Sequence, residues 1–271
     1  MSSFGETKPL GIIGGSGLET LPDIEIRERL PISTRYGAPS APVTLGKIGP
    51  TPVAFIPRHG DKHHLAPHKV PYRANLEALR QLGVTQVIGT CIAGSLREEI
   101  RPSSLVCPDQ FVNLTWGRDD IVEADGGSFS HLPMATPYCD CMRSWVLSSS
   151  ASIHNQGTVV VIQGPRFSTV AESSWFIRNG WDLVNMTQYP ECYFARDLGL
   201  CYAAIAGITD YDVGTERTLS MESDNMGRVL DHFKEVVAKT RHVLVSLCSS
   251  DAPLFNCGCA KMGEPYYVQA K

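Results

Sequence analysis

No stretch of this sequence approaches the ~20 consecutive apolar residues that a membrane-spanning helix requires, so no membrane association is expected. Positive charge is not in excess either. The 24 Lys and Arg against 28 Asp and Glu give a formal net charge of −4, which offers no basic field for nucleic acid. The opening residues, MSSFGETKPLG, lack the basic-then-apolar pattern of a secretory signal, and a cytoplasmic location is the expectation. Internal repeats, low-complexity tracts and Pro/Gly/Ser-rich linkers are missing too. One domain over residues 1–250 followed by a C-terminal tail, 251–271, is therefore expected. Zinc-type spacing is also lacking. Of the nine cysteines, seven are scattered through strand-like or helical sequence, and free buried Cys is an ordinary small hydrophobe. Cys257-Gly258-Cys259 could form a strained disulfide or half of a metal site. With no second CxxC or Cys/His pair at zinc spacing, no metal is expected, and a reducing compartment disfavours the disulfide.

What is present is a regular alternation of apolar strand-like runs and helical patterns, with an ordinary 43% hydrophobic content. Leu10–Ile13, Val43–Leu45, Val53–Ile56, Val84–Ile88, Leu105–Val106, Phe111–Leu114, Val159–Ile162 and Asp182–Asn185 read as strands. Asn75–Leu82, Ala171–Ile177, Glu191–Leu198 and Met226–Leu247 read as helices, the last with Val229, Phe233, Val236, Val237 and Leu244 on one side. This order predicts one α/β domain, a central mixed sheet flanked by helices. Leu200–Ile208 is uncharged and mostly apolar, the pattern of a strand buried on both faces. It stops at Thr209-Asp210-Tyr211-Asp212, where the two aspartates project to the same side of an extended chain. Carboxylates at a strand's carboxyl end suit a ligand bearing nitrogen donors, or proton transfer, although two solvated loop acids would read the same way.

Other strands end in residues of equal interest. Gly14-Gly15-Ser16-Gly17 lets backbone N–H groups approach an anion, without the spacing of a dinucleotide fingerprint. Pro57-Arg58-His59-Gly60 supplies a guanidinium fork and an imidazole suited to phosphate oxygens. His63, His64 and His68 follow, open to reading as a metal site or a solvated loop. Thr90–Ser95 is rich in small residues; Phe167, in GPRFS, could stack on a planar ring, and Met186 and Thr187 follow another strand. Six strand ends of this kind point to one crevice with anion, apolar and carboxylate zones.

These stretches, namely GIIGGSGLE (11–19), TRYGAPS (34–40), PRHGDKHHLAPHKVPYRAN (57–75), AGSLREEIRPSSLVCPDQFVN (93–113), HLPMATPYC (131–139), IQGPRFSTVAES (162–173), NMTQYPE (185–191) and CYAAIAGITDYD (201–212), together resemble the trimeric purine nucleoside phosphorylase family. The resemblance implies a transferase of purine and methionine salvage that cleaves 5′-methylthioadenosine with phosphate into adenine and 5-methylthioribose 1-phosphate. Inorganic phosphate is then a co-substrate and no cofactor is needed. It implies phosphate contacts at Ser16, Arg58, His59, Thr187 and the Cys91–Ile92 turn, where a backbone N–H serves because Cys91 stands in place of the family's usual hydroxyl residue.

By the same resemblance Asp210 acts as general acid at purine N7 and Asp212 accepts from the 6-amino group, with Tyr211 between them. Ser168 and Asp210 occupy positions where phosphorylases of 6-oxopurines typically carry glutamate and asparagine, which favours adenine-type bases. Phe167 is expected at the base and Met186 under the ribose, while His63, Met226, Leu230 and a neighbouring subunit's His131 form the 5′ pocket of a homotrimer or dimer of trimers. The alternatives are the same chemistry on 6-oxopurine nucleosides or methylthioinosine, and a binding protein for purine nucleosides without catalysis.

Overall fold

The computed structural model describes residues 8–120, 131–213, 215, 225–249, 253 and 255–262. Apolar runs bounded by glycine and proline produce the strands. β1 (Leu10–Gly14), β2 (Glu25–Leu30), β3 (Val43–Ile48) and β4 (Thr51–Pro57) come first, followed by α1 (Tyr72–Gln81) and β5 (Gln86–Ser95). Next come β6 (Leu105–Val106), β7 (Gln110–Leu114), α2 (Asp140–Ser148), β8 (Ile153–His154), β9 (Thr158–Ile162) and α3 (Val170–Arg178). The remainder is β10 (Leu183–Asn185), α4 (Gln188–Asp197), β11 (Cys201–Tyr211), α5 (Asn225–Leu247) and α6 (Cys259–Met262).

The strands form one mixed sheet in the order β2-β3-β4-β1-β5-β10-β9-β7, with β11 on β5, β6 on β11 and β8 on β6. β5 is its hub, pairing in parallel with β1 over Val87–Gly89 and with β11 along its length, and antiparallel with β10 at Gly94 and Ser95. Thr90–Ser95, expected beyond the strand end, therefore lies within the strand. β11 pairs along all of it, and β10 closes the other edge at Gly94 and Ser95. Gly89 is the tightest point: a Cβ there would sit 2.1 Å from Tyr202 Oη and 2.8 Å from Glu191 Oε1.

β11 is buried on both faces, as its composition predicts. Cys201, Ala203 and Ile205 pack with Met142 and Val146 of α2 and Val236, Val243 and Leu244 of α5. Tyr202 and Ala204 point the other way, into the layer of Leu76 and Leu79 from α1 and Phe194 and Ala195 from α4. Ala206 and Ile208 continue into a third cluster with Val159, Val161 and Leu183. Each fully buried aliphatic side chain contributes roughly 1.5–3 kcal/mol, so the strand is fixed in register when its carboxylates emerge. A register shift between Ile208 and Asp210 on β5 turns that end out of the regular ladder.

β2 and the tail depart from the sequence pattern, and α2 and β8 fall where no element is read. β2, EIRERL, pairs antiparallel at the sheet edge and is largely exposed, so charge replaces the apolar alternation by which strands are recognised. The tail, expected to be irregular, carries the short α6. Gln86 Nε2 donates to Pro253 O (2.6 Å), and Trp145 meets Phe255 edge-on, which fixes the described part of the tail to the domain. Among the described residues no helix is long and apolar enough to cross a membrane.

Candidate active site

The predicted strand ends converge. Arg58 N–H donates to Gly14 O (2.8 Å), joining the ends of β1 and β4, and Gly15 N–H donates to Thr90 Oγ1 (2.9 Å), joining β1 to β5. Gly15 must be glycine, because a Cβ would lie 2.4 Å from Thr90 O and 2.9 Å from Arg58 Nη1. Asn185 Nδ2 donates to Ile92 O (2.8 Å), and its Oδ1 accepts from the N–H groups of Thr187 (2.7 Å) and Gln188 (2.9 Å). One side chain thus holds the Cys91–Ile92 backbone beside Thr187. On the other side of β5, Gly94 leaves room for Asp210 and Asp212, whose Oδ2 and Cβ would each be 3.7 Å from a Cβ there. Gly164 abuts Met186, bringing the loop after β9 to the end of β10.

Arg58 is completely buried, and its fork is largely engaged. Nε and Nη2 donate to Glu191 Oε2 and Oε1, both at 2.6 Å, while Nη1 donates to Thr90 O at 2.6 Å. Burial alone would lower its pKa, but the Glu191 carboxylate raises it far above the ordinary arginine value, so the charge is permanent. Tyr202 Oη also donates to Glu191 Oε1 (2.7 Å). The expected bidentate grip of Arg58 on an anion is thus taken by Glu191. Of the five guanidinium N–H groups, three are bound here, and at most two remain for a ligand.

His59 is buried and its pKa falls to about 4, first because of burial and next because of the Arg58 charge. Neutral at physiological pH, it donates from Nδ1 to Leu65 O (2.8 Å), which leaves Nε2 as an acceptor. His63 stacks on it at 4.6 Å between ring centroids, and His63 Nδ1 meets Glu19 Oε1 at 2.7 Å. His63 itself is exposed and sits next to His59 at the edge of this cluster. Cys91 is a buried thiol raised to about 12 by desolvation, and it accepts from Gln188 Nε2 at 3.4 Å. It puts no negative charge beside an anion. Thr187 is buried, and Ser16, half-buried, lies in the turn after β1.

At the carboxylate end, burial raises the pKa of Asp210 most, and Asp212 adds to the rise, against a 2.5 Å hydrogen bond from Thr209 Oγ1 and the nearby His232. Asp212 is also raised by burial, opposed by the Ser173 hydroxyl, the Val213 N–H and the Ser168 hydroxyl. Ser168 precedes the capping box of α3, in which Thr169 Oγ1 accepts from Glu172 N–H and Glu172 accepts from Thr169 N–H. Arg166 is bonded to the same Glu172, so the loop after β9 is pinned from both sides.

The remaining expected residues are more exposed. Tyr211 points away from its two acidic neighbours and donates to Glu98 O (3.1 Å), as alternation along a strand requires, so a ligand would meet its backbone. Phe167 is 79% exposed, its ring open to a ligand. Leu230, on α5, is half-exposed, and His131 lies on the surface. The side chain of Met226 lies outside the described residues. The structure adds Glu191, Asn185 and Arg118, whose Nη2 donates to Met186 O (2.9 Å) and Gln163 O (3.1 Å). Glu191 and Asn185 fall inside the recognised NMTQYPE stretch, but nothing in their spacing reveals their partners.

Together these strand ends gather backbone N–H and hydroxyl groups around Arg58 and Thr187, with Asp210 and Asp212, both raised in pKa by burial, at the end of β11. Comparison with known proteins agrees. The family described as the phosphorylase superfamily matches residues 9–245. An S-methyl-5′-thioadenosine phosphorylase of Mycolicibacterium smegmatis is 52% identical over 76% of this chain and 78% of its own length. One from Thermococcus kodakarensis is 41% identical over 96% and 99%. The methylthioadenosine phosphorylase of Schistosoma mansoni, solved in complex with adenine, superposes with a TM-score of 0.83 at 33% identity, covering 89% of this chain and 91% of that one.

Proposed function

The chain belongs to the phosphorylase superfamily, and from that footing we propose that it cleaves 5′-methylthioadenosine with inorganic phosphate to adenine and 5-methylthioribose 1-phosphate. The observation that carries this reading is the pair of carboxyls at the end of β11, Asp210 and Asp212, both raised in pKa by burial, with Ser16, His59 and Thr187 following the converging strands β1, β4 and β10. Relatives named for the same reaction support it.

In this reading a phosphate oxygen forms the new bond to C1′ as the C1′–N9 bond breaks, and the departing pair is taken up by the purine. Positive charge develops on the sugar and negative charge on the base, so the protein's work is positioning and electrostatics. The Arg58–Glu191 pair is nearly neutral as a unit. Phosphate is therefore held chiefly by Ser16, Thr187, the Cys91–Ile92 backbone and the two remaining Arg58 N–H groups. His59 Nε2, an acceptor, receives the hydrogen of a protonated phosphate oxygen. At the other end Asp210, whose carboxyl burial shifts toward the protonated form, transfers its proton to N7, so neutral adenine departs. Asp212 accepts from the 6-amino group, beside Ser168. A 6-oxo base would set oxygen against oxygen there, a loss of about 1–3 kcal/mol.

Met186 underlies the ribose, and His63 borders the 5′ end. We assign the rest of the 5′-methylthio pocket to Met226 and to His131 of a neighbouring subunit, which makes the working enzyme a homotrimer or a dimer of trimers in the cytoplasm. Phosphate is co-substrate and the reaction is redox-neutral, so the chemistry calls for no organic cofactor. The test is product analysis. Adenine and 5-methylthioribose 1-phosphate should form in equal amounts with phosphate present, and phosphate-independent hydrolysis would overturn the reading.

A further inference from the structure

Away from this crevice the tail carries Cys257 and Cys259 against Cys139, at the N-terminal boundary of α2, and Cys201, the first residue of β11. Their four Sγ atoms lie within 4.8 Å of one another, the single such cluster of metal-ligating groups among the described residues. Cys201 Sγ is 3.2 Å from Cys257 Sγ, and Cys139 Sγ is 3.8 Å from it. The missing second half of the CxC motif is therefore present in space. It escapes a spacing search because its members stand 118 and 56 positions before Cys257.

We propose that Cys139, Cys201, Cys257 and Cys259 form a tetrathiolate zinc site that fastens the C-terminal segment to the domain. Four thiolates at about 2.3 Å from zinc stand about 3.8 Å apart in a tetrahedron, and the observed separations bracket that value. Cys257 is close to two sulfurs at once, as a tetrahedral corner is, whereas a disulfide gives each sulfur a single partner near 2.05 Å. Cys139 and Cys201 are buried, and Cys257 and Cys259 half-buried, so the sulfurs are shielded from water. Arg196 lines the same small cavity as Cys139 and Cys259, next to the net negative charge of a zinc tetrathiolate. On binding, zinc forms four Zn–S bonds and the thiol protons leave to solvent. Four sulfur ligands leave no open position, so the role is structural.

The test joins metal analysis to thiol counting on protein purified under non-reducing conditions. The expected result is stoichiometric zinc, with all nine cysteines titrating once the protein is denatured with a chelator. Cys257→Ser with Cys259→Ser should lose the zinc and lower Tm while kcat/KM is retained, and Cys141→Ser, whose sulfur is outside the four, should keep it. Zinc-free protein with nine free thiols would overturn the proposal, as would thiols that appear only after reduction, the signature of disulfides. Should the double variant fail to fold, cobalt(II) replacement in the unaltered chain decides. Visible absorption of tetrahedral thiolate-bound cobalt is expected, and its absence overturns the site.

Discussion

Glu191→Gln separates the stability of this fold from its affinity for phosphate. Arg58 has no exposed surface and its partner's side chain is 1% exposed, with two contacts of 2.6 Å between them. The amide keeps the volume but removes the charge and turns one acceptor into a donor that faces the guanidinium. Tyr202 Oη loses its charged acceptor as well. Breaking one side of a buried pair destabilises by about 3–5 kcal/mol, which for a chain of this size lowers Tm by roughly 6–20 °C. Phosphate should now restore more than it gives the unaltered protein. In the native site its charge meets an Arg58 already balanced by Glu191; in the variant it meets an unbalanced cation. Thermal denaturation across a phosphate series, with chloride as ionic-strength control, reads both effects. A phosphate-induced rise in Tm that is larger for the variant is expected. Equal or smaller rises would refute the placement of phosphate beside Arg58.

Asp210→Asn should lower kcat by about 10²–10⁴. Because the protonated carboxyl is the active form and its pKa is raised by burial, kcat/KM for the nucleoside should fall as pH climbs through that pKa. The variant should lose this limb of the profile; an unchanged profile would remove Asp210 from proton transfer. Asn185→Ala unties Ile92 from Thr187 and should raise the KM for phosphate roughly tenfold, from the loss of about 1–2 kcal/mol of organised hydrogen bonding. The KM for the nucleoside should change much less, and equal effects on both would mean a general loosening of β10.

Much of the architecture is legible in the sequence because burial leaves a plain mark. β11 carries no charge from Leu200 to Ile208, since α2 and α5 cover one face and α1 and α4 the other. The positions of the acidic pair and of Arg58 and His59 at strand ends are also readable, since each follows an apolar run directly. What escapes detection depends on pairs distant in the chain. Glu191 lies in a helix among ordinary polar residues, and its role is fixed by Arg58, 133 residues away. The cysteine cluster is hidden for the same reason. Thr90–Ser95 reads as a stretch beyond the strand because its apolar run ends at Ile88, and only its pairing with β11 and β10 shows that the strand continues.

The central claim is that Asp210, Asp212 and Ser168 select a 6-amino purine while phosphate attacks from the opposite end. The most direct measurement is kcat/KM in saturating phosphate for 5′-methylthioadenosine and 5′-methylthioinosine, which differ only at position 6. A preference for the adenine nucleoside of at least about tenfold is predicted, the equivalent of one lost hydrogen bond at ~1.4 kcal/mol. Equal values, or a preference for methylthioinosine, would contradict the account.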